Sequence, residues 1–254
     1  MAAENVRTEK EGALGWLVLD RPAKLNALTS GMREGIVEGL AELEADPEVR
    51  VVLIRGEGDA FCAGTDVREF LGRTGLEQWE RDLSPLRIFE RIQRGLKPTV
   101  AVLHGHVYGG GCELALACDI RVAAASARLG QLEVRWGLIP GGGGTQRLTR
   151  LVGRGQAMRL ILSGDIIDAV EAARIGLVEI QVDDGDLLAA ATGLAARIAT
   201  HDPVAVRLAR ESIAAADELA LSAGLRYEAG LMGLAIYGGD SSTRIREFVD
   251  KSGE

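Results

Sequence analysis

Through the first half of the chain, short apolar runs of strand length alternate with stretches whose apolar residues recur at helical spacing, and that order leaves few folds open. Leu14 to Leu19 reads as a strand and RPAKLNAL as a turn. Thr29 then serves as the N-cap of a helix in which Met32, Ile36, Val37, Leu40 and Leu43 recur until Asp46-Pro47 stops it. Arg50 to Arg55 is a second short strand, and Gly56 to Asp59 a loop. Gly75 to Lys97 reads as a helix closed by Pro98, and Thr99 to Leu103 and Ile120 to Val122 as further strands. Strand, helix, strand in repetition predicts a mostly parallel sheet flanked by helices, whose site lies on the loops at the strand ends.

Beyond Gly141 the pattern turns helical, at Thr145 to Val152, Gln156 to Leu162 and Asp168 to Ile175, with one short strand near Val178 to Val182. From Asp186 onward almost everything reads as helix, and no Pro/Gly/Ser-rich linker separates the two parts. The expectation is one continuous α/β core, residues 1–195, carrying a helical C-terminal module, residues 196–254. No self-similarity at solenoid period stands out.

The charge balance narrows the function. Thirty-seven acidic against 29 basic residues, a net charge of −8, argue against a face built for a phosphate backbone, so nucleic acid is not the expected partner. Cys62, Cys112 and Cys118 match neither a redox pair nor a zinc spacing and read as reduced thiols. No run reaches the roughly 18 apolar residues of a membrane span. The N-terminal segment lacks the apolar core of a signal peptide and carries Glu4, Glu9 and Glu11. A cytoplasmic protein with no membrane partner is expected.

Two glycine-rich stretches carry the chemistry: Ala60 to Asp66, and Gly105 to Glu113 with its Gly109-Gly110-Gly111 run. In each, a strand ends in a turn whose N–H groups open toward a helix start, the geometry that holds an anion or a developing oxyanion. Each alone is also an ordinary strand-to-helix turn. Neither has the spacing of a dinucleotide fingerprint, and the Gly141–Gly144 run lacks the Lys-Ser/Thr of a phosphate-binding loop.

Glu113 is the sharper signal, because Cys112, Leu114, Ala115, Leu116 and Ala117 around it are all apolar. A buried carboxylate must be paired, hydrogen-bonded or protonated. It is either a proton-transfer group or a core glutamate satisfied by Arg135 or Arg147. Glu133, in a second apolar segment ahead of the tetraglycine, is likewise either the partner acid or a half-exposed residue paired with Arg135. His104 and His106 alternate on a strand and face opposite ways; with only His201 besides, no metal cage or Ser-His-Asp triad is expected.

Taken together, AFCAGTDVREF (60–70), GHVYGGGCELALACDIRVA (105–123) and LGQLEVRWGLIPGGGGTQRLTRLVG (129–153), continued by LSGDIIDAVEAARIGLVE (162–179), resemble the crotonase, or enoyl-CoA hydratase/isomerase, family. The resemblance implies an α/β fold, a crotonase-like spiral of ββα units with a C-terminal helical trimerisation module, assembled as a homotrimer or dimer of trimers around acyl-CoA thioesters. It implies that the backbone N–H groups of Thr65 and Gly110 form the oxyanion hole. It further implies that Ala63, Thr65, Asp66, Val67, Arg68, Gly110, Gly141 and Lys24 bind the substrate and its CoA, and that Glu113 and Glu133 are the catalytic pair. No cofactor and no metal is implied, the acyl-CoA being the substrate. Thr65 stands where hydratases often have Ala, Leu132 where Pro is common, and Thr243-Arg244 where Glu-Gly is frequent.

The activity so implied is reversible hydration of trans-2-enoyl-CoA, Glu113 serving the water and Glu133 the C2 carbon. Negative charge must gather on the thioester oxygen as water attacks C3, and two aimed N–H donors stabilise it. Arg21, Lys24 and Arg68 are the candidate basic rim for CoA. The helix around Trp79 is expected to line the acyl-tail pocket. The alternatives are an enoyl-CoA isomerase or other acyl-CoA lyase on the same scaffold, and a non-catalytic CoA- or RNA-binding relative. The retained glutamate pair argues against the first, and the pair together with the acidic charge against the second.

Overall fold

Leu14–Leu19, the first run that reads as a strand, is β2, buried along its whole length because both of its faces are covered. The computed structural model describes residues 5–82 and 88–252. The polar stretch Val6–Glu11 pairs antiparallel with β2 as β1, an edge strand whose alternating charges hide it from a search for apolar runs. Helix α1 (Ser30–Ala45) starts where Thr29 accepts the Met32 N–H and buries Met32, Ile36, Leu40 and Leu43. Strands β3 (Val51–Gly56), β4 (Thr99–Leu103), β6 (Ile120–Ala124) and β9 (Ile180–Val182) then add in parallel. The sheet order is β1-β2-β3-β4-β6-β9, five strands parallel and one edge antiparallel, in agreement with the parallel sheet expected.

A second, three-stranded sheet is not marked by the apolar runs, although the ββα units implied by the resemblance call for it. After β4 the chain does not pass straight to a helix: β5 (His106–Tyr108) pairs with β7 (Arg128–Gly130), and β7 with β8 (Ile167–Asp168). Helix α4 (Gly110–Ala117) follows β5, so β4, β5 and α4 make one ββα turn of a spiral. Gly105 makes the corner between β4 and β5 with φ +52°, where an added β-carbon would lie 1.9 Å from the Asp59 carbonyl oxygen. His104 and His106 therefore do not share one strand. His104 Nε2 meets the Gly58 carbonyl at 2.9 Å, and His106 Nδ1 the Tyr108 hydroxyl at 2.9 Å.

The segment expected as a helix over Gly75 to Lys97 contains α2 (Gly75–Asp82) and α3 (Ile88–Gln93), with residues 83–87 outside the described residues. α3 ends before Pro98 because the Leu96 N–H donates to Glu44 Oε1 at 2.7 Å and leaves the helical ladder. The two helices read at 145–152 and 156–162 are both present within the segment α5 (Gly144–Ser163), where Gly153, at φ +78° and ψ 156°, is non-helical and separates them. α6 (Ala169–Arg174) begins at Asp168, whose side chain accepts the Glu171 N–H.

Two compact units divide the chain, residues 1–195 and 196–254, the boundary falling within α7 (Leu187–Ala199). The second unit continues with α8 (Pro203–Ala215), α9 (Leu221–Gly238) and α10 (Ser241–Ser252). It leaves large apolar side chains in water, among them Leu221, Tyr237 and Phe248 at 78%, 92% and 74% exposure. Among the described residues no helix is long and apolar enough to cross a membrane.

Candidate active site

The loop after β3 and the start of α4 meet because their glycines let them. A β-carbon on Gly111 would lie 2.1 Å from the Cys62 carbonyl oxygen, and one on Gly110 2.9 Å from Thr65 Oγ1 and 3.2 Å from the Thr65 nitrogen. Thr65 forms a parallel bridge with Leu28 in which Leu28 N–H donates to the Gly64 carbonyl and Asp66 N–H to the Leu28 carbonyl, at 2.8 and 2.9 Å. Alternation along an extended segment then turns the N–H of Thr65 itself away from Leu28. Gly110 is the first residue of α4, so its N–H has no partner within the helix. Both residues line one cavity of about 740 Å³.

Glu113 and Glu133 line the same cavity. Glu113, 4% exposed, sits one turn into α4. Its Oε1 accepts the N–H groups of Gly142 and Gly144 at 2.7 and 2.8 Å, so the partner of this carboxylate is the tetraglycine backbone and not Arg135 or Arg147. Burial pushes the carboxyl above the ordinary glutamate range, and the two N–H donations together with the charges of Arg33 and Arg147 pull it back. Arg147 supports the turn instead, its Nη1 donating to the Gly142 carbonyl at 2.7 Å and its Nε to Gln93 Oε1 at 2.9 Å.

Glu133 opens a single 3-10 turn, Glu133–Trp136, and its Oε1 lies 3.1 Å from where a β-carbon on Gly109 would stand. A side chain at the head of α4 would press on the carboxylate there, and Gly109 also takes φ +48°, which favours glycine. Burial, and then the charge of Glu113, push its pKa up to about 7. Arg135 does not pair with it; its side chain packs against Gly164. Gln131, buried beneath, lies 3.1 and 3.2 Å from the Glu133 carboxylate oxygens with its carboxamide turned to donate.

Of the other residues singled out by sequence, Ala63, Val67 and Gly141 line the cavity. Asp66, Arg68 and Lys24 do not. Asp66 is buried and takes Arg68 at 2.7 Å and Arg21 at 3.0 Å, which hold its carboxyl well below the usual carboxylate range. Two of the three candidate rim cations thus share one anion, while Lys24 stands exposed on the 3-10 turn Pro22–Lys24. Trp79 is exposed at 61% and is not on the wall; from its helix it is Gln78 that lines the cavity, with Phe70, Phe89, Trp136, Leu138 and Ile139 supplying the apolar surface.

Sequence reasoning missed Arg33, Phe89 and Tyr108, which also line the cavity. Arg33 had a faint signal, a cation beside Met32 on a helix whose neighbouring positions are core. Phe89 had none, being one apolar residue in an amphipathic helix. Cys62 and Cys112 lie buried next to the site with thiols pushed up to about 12 by desolvation, and so are poor nucleophiles. Among the described residues no group of three or more His, Cys, Asp or Glu could hold a metal ion.

The chain matches the family model described as enoyl-CoA hydratase/isomerase over residues 9–253. It is 38% identical over 251 residues to a probable enoyl-CoA hydratase of Mycobacterium bovis, covering 99% of this chain and 97% of that one. A short-chain-enoyl-CoA hydratase of Clostridium acetobutylicum is 37% identical over 252 residues, with 99% and 97% covered. Among solved structures, an enoyl-CoA hydratase from Bacillus anthracis superposes with a TM-score of 0.91 at 34% identity, over 98% of this chain and 97% of that one.

Proposed function

We propose, since this chain belongs to the enoyl-CoA hydratase/isomerase family, that it adds water reversibly across the C2–C3 double bond of trans-2-enoyl-CoA thioesters to give 3-hydroxyacyl-CoA. The observation that carries the reading is one cavity bordered by two main-chain amides, those of Thr65 and Gly110, and by two carboxylates, Glu113 and Glu133.

The thioester oxygen accepts hydrogen bonds from the Thr65 and Gly110 N–H groups, which draws electron density from C3. Water attacks C3 while Glu113, its charge supported by Gly142 and Gly144, takes the water proton. The charge left at C2 spreads onto the oxyanion and is quenched by a proton from Glu133, whose proton burial and then the charge of Glu113 retain up to about pH 7. One C–O and one C–H bond form at the expense of the C=C and an O–H bond, and the two carboxyls then re-equilibrate their protons with solvent. Ala63, Asp66, Val67, Arg68, Gly141 and Lys24 belong in this reading to substrate and CoA binding, Asp66 by fixing Arg68 rather than by touching ligand.

The reading extends to a cytoplasmic homotrimer or dimer of trimers. Exposed apolar side chains on α9 and α10 favour association, since such surface is covered at small cost when copies meet. The test is direct: purified protein mixed with crotonyl-CoA and longer trans-2-enoyl-CoAs should bleach the conjugated thioester absorbance. Unchanged absorbance with every chain length would reject the hydratase reading. Conversion of a 3-enoyl-CoA to its conjugated isomer without hydration would point to the isomerase instead.

A further inference from the structure

Arg33 connects two parts of the site that nothing in the sequence links. It projects from α1, beside the fully buried Met32 and one turn before the fully buried Ile36, into the cavity wall. Its Nη2 donates to Thr65 Oγ1 at 2.9 Å, and its guanidinium carbon lies 5.6 Å from the centre of the Phe89 ring. Phe89 in turn packs so closely on the tetraglycine turn that a β-carbon on Gly142 would lie 2.1 Å from its ring. The same guanidinium thus touches the residue that offers the first oxyanion amide and the ring that backs the turn holding Glu113.

Threonine is stiff about χ1, so a bond that holds Oγ1 also holds the orientation of the Thr65 backbone. Thr65 Oγ1 lies 2.9 Å from where a β-carbon on Gly110 would stand, so the side chain held by Arg33 borders the residue that carries the second amide. We propose that Arg33 is a positioning residue for the hydration reaction, holding Thr65 so that its N–H converges with that of Gly110 on the thioester oxygen. The role of the Thr65 side chain is then to take the guanidinium, not only to trim the pocket. The proposal rests on the hydratase reading above. The charge adds a second consequence. Arg33 and Arg147 favour ionised Glu113, so removing Arg33 should shift the acid limb of activity upward.

The test compares wild type with R33M, R33K, T65V and R33M/T65V in crotonyl-CoA hydration over pH. It adds the near-ultraviolet enolate absorbance of bound acetoacetyl-CoA, a β-oxo thioester that cannot be hydrated and whose enolate reports the polarising power of the amide pair. Expected is a loss in kcat of about tenfold for R33M with KM within about twofold, as for an interaction realised in the transition state. A weakened enolate band and an acid limb at higher pH should accompany it. T65V should show a similar kcat loss, and the double variant should be no worse than the worse single. R33K, which keeps the charge without the fork, should keep the acid limb and recover part of kcat; it also carries the test should R33M not fold. Wild-type kcat and enolate band in R33M, or losses that multiply in the double variant, overturn the proposal. A wild type that hydrates no enoyl thioester yet forms an enolate band that R33M lacks would reject the hydratase reading and leave Arg33 as the residue that positions the amide pair for another thioester reaction. A wild type showing neither turnover nor band overturns both.

Discussion

The Gly142 N–H donates to Glu113 Oε1 at 2.7 Å, which joins the tetraglycine turn to the carboxylate buried in α4. A second donor, Gly144, completes the cradle at 2.8 Å. An ionised carboxylate that is 4% exposed is tolerable only with such donors, because its desolvation would otherwise be unbalanced.

Gly142→Ala should break that cradle. The new methyl would stand 2.1 Å from the Phe89 ring and 2.6 Å from Glu113 Oε2, so the turn must move. The expected cost is about 1–3 kcal/mol of stability, as for other overpacked sites, together with a fall in kcat. Thermal unfolding and hydration kinetics on the same preparation check both; an unchanged melting temperature would contradict the packing described.

Glu113→Gln and Glu133→Gln should each lose at least about tenfold in turnover with the fold intact, general acid–base action being worth roughly 10²–10⁴-fold. Circular dichroism verifies the fold, and steady-state kinetics the loss. Wild-type rates in both would return these side chains to a structural role.

Gly110→Ala should cost more than its size suggests. The methyl would sit 2.9 Å from Thr65 Oγ1 and 3.2 Å from the Thr65 nitrogen, crowding the space between the two amides. Loss of one oxyanion donor costs about 10²–10³ in kcat, and the acetoacetyl-CoA enolate band should vanish with it. A variant that keeps the band would place the oxyanion elsewhere.

The elevated pKa of Glu133 ties activity and stability to pH. With the folded value at about 7 against 4.5 for the ordinary side chain, the native protein keeps a proton that the unfolded chain releases. Stability therefore falls as pH rises from about 4.5 to about 7 and levels off above, by at most roughly 3 kcal/mol. Glu133→Gln should accordingly melt at a higher temperature than wild type at pH 8 and at nearly the same temperature at pH 4. In wild type, kcat/KM should decline on an alkaline limb near pH 7 as the proton for C2 is lost. Equal melting temperatures at pH 8 would show that the carboxylate is better solvated than its surroundings suggest.

Much of the fold is legible in the chain order. The runs Leu14–Leu19, Val51–Ile54 and Val100–Leu103 announce parallel strands because a strand buried on both faces reads as a near-continuous apolar run. The Thr29 cap and the Asp46-Pro47 stop bound α1 by local hydrogen bonding alone. β1 and β5 escape the same reading: the first is a charged edge, and the second is three residues long, cut off by a glycine corner that the apolar pattern does not mark.

The site divides in the same way. Residue types single out Glu113, Glu133 and the two glycine-rich stretches, since a carboxylate in an apolar helix and glycines at strand ends are anomalous within their own neighbourhoods; it is the family resemblance that picks Thr65 and Gly110 out of those stretches. Which groups satisfy them is a different matter. The amides of Gly142 and Gly144, not an arginine, receive Glu113; Gly109 makes room for Glu133; Arg33 reaches Thr65 from a helix 32 residues upstream. The sequence by itself determined where the central strands and the first helix fall and which carboxylates lie in apolar surroundings, because those depend on local propensity and on burial averaged along the chain. Only the tertiary structure decided the partners and the pKa values, because close approach between distant segments turns on a missing β-carbon here and a guanidinium there, distances that no neighbouring residue encodes.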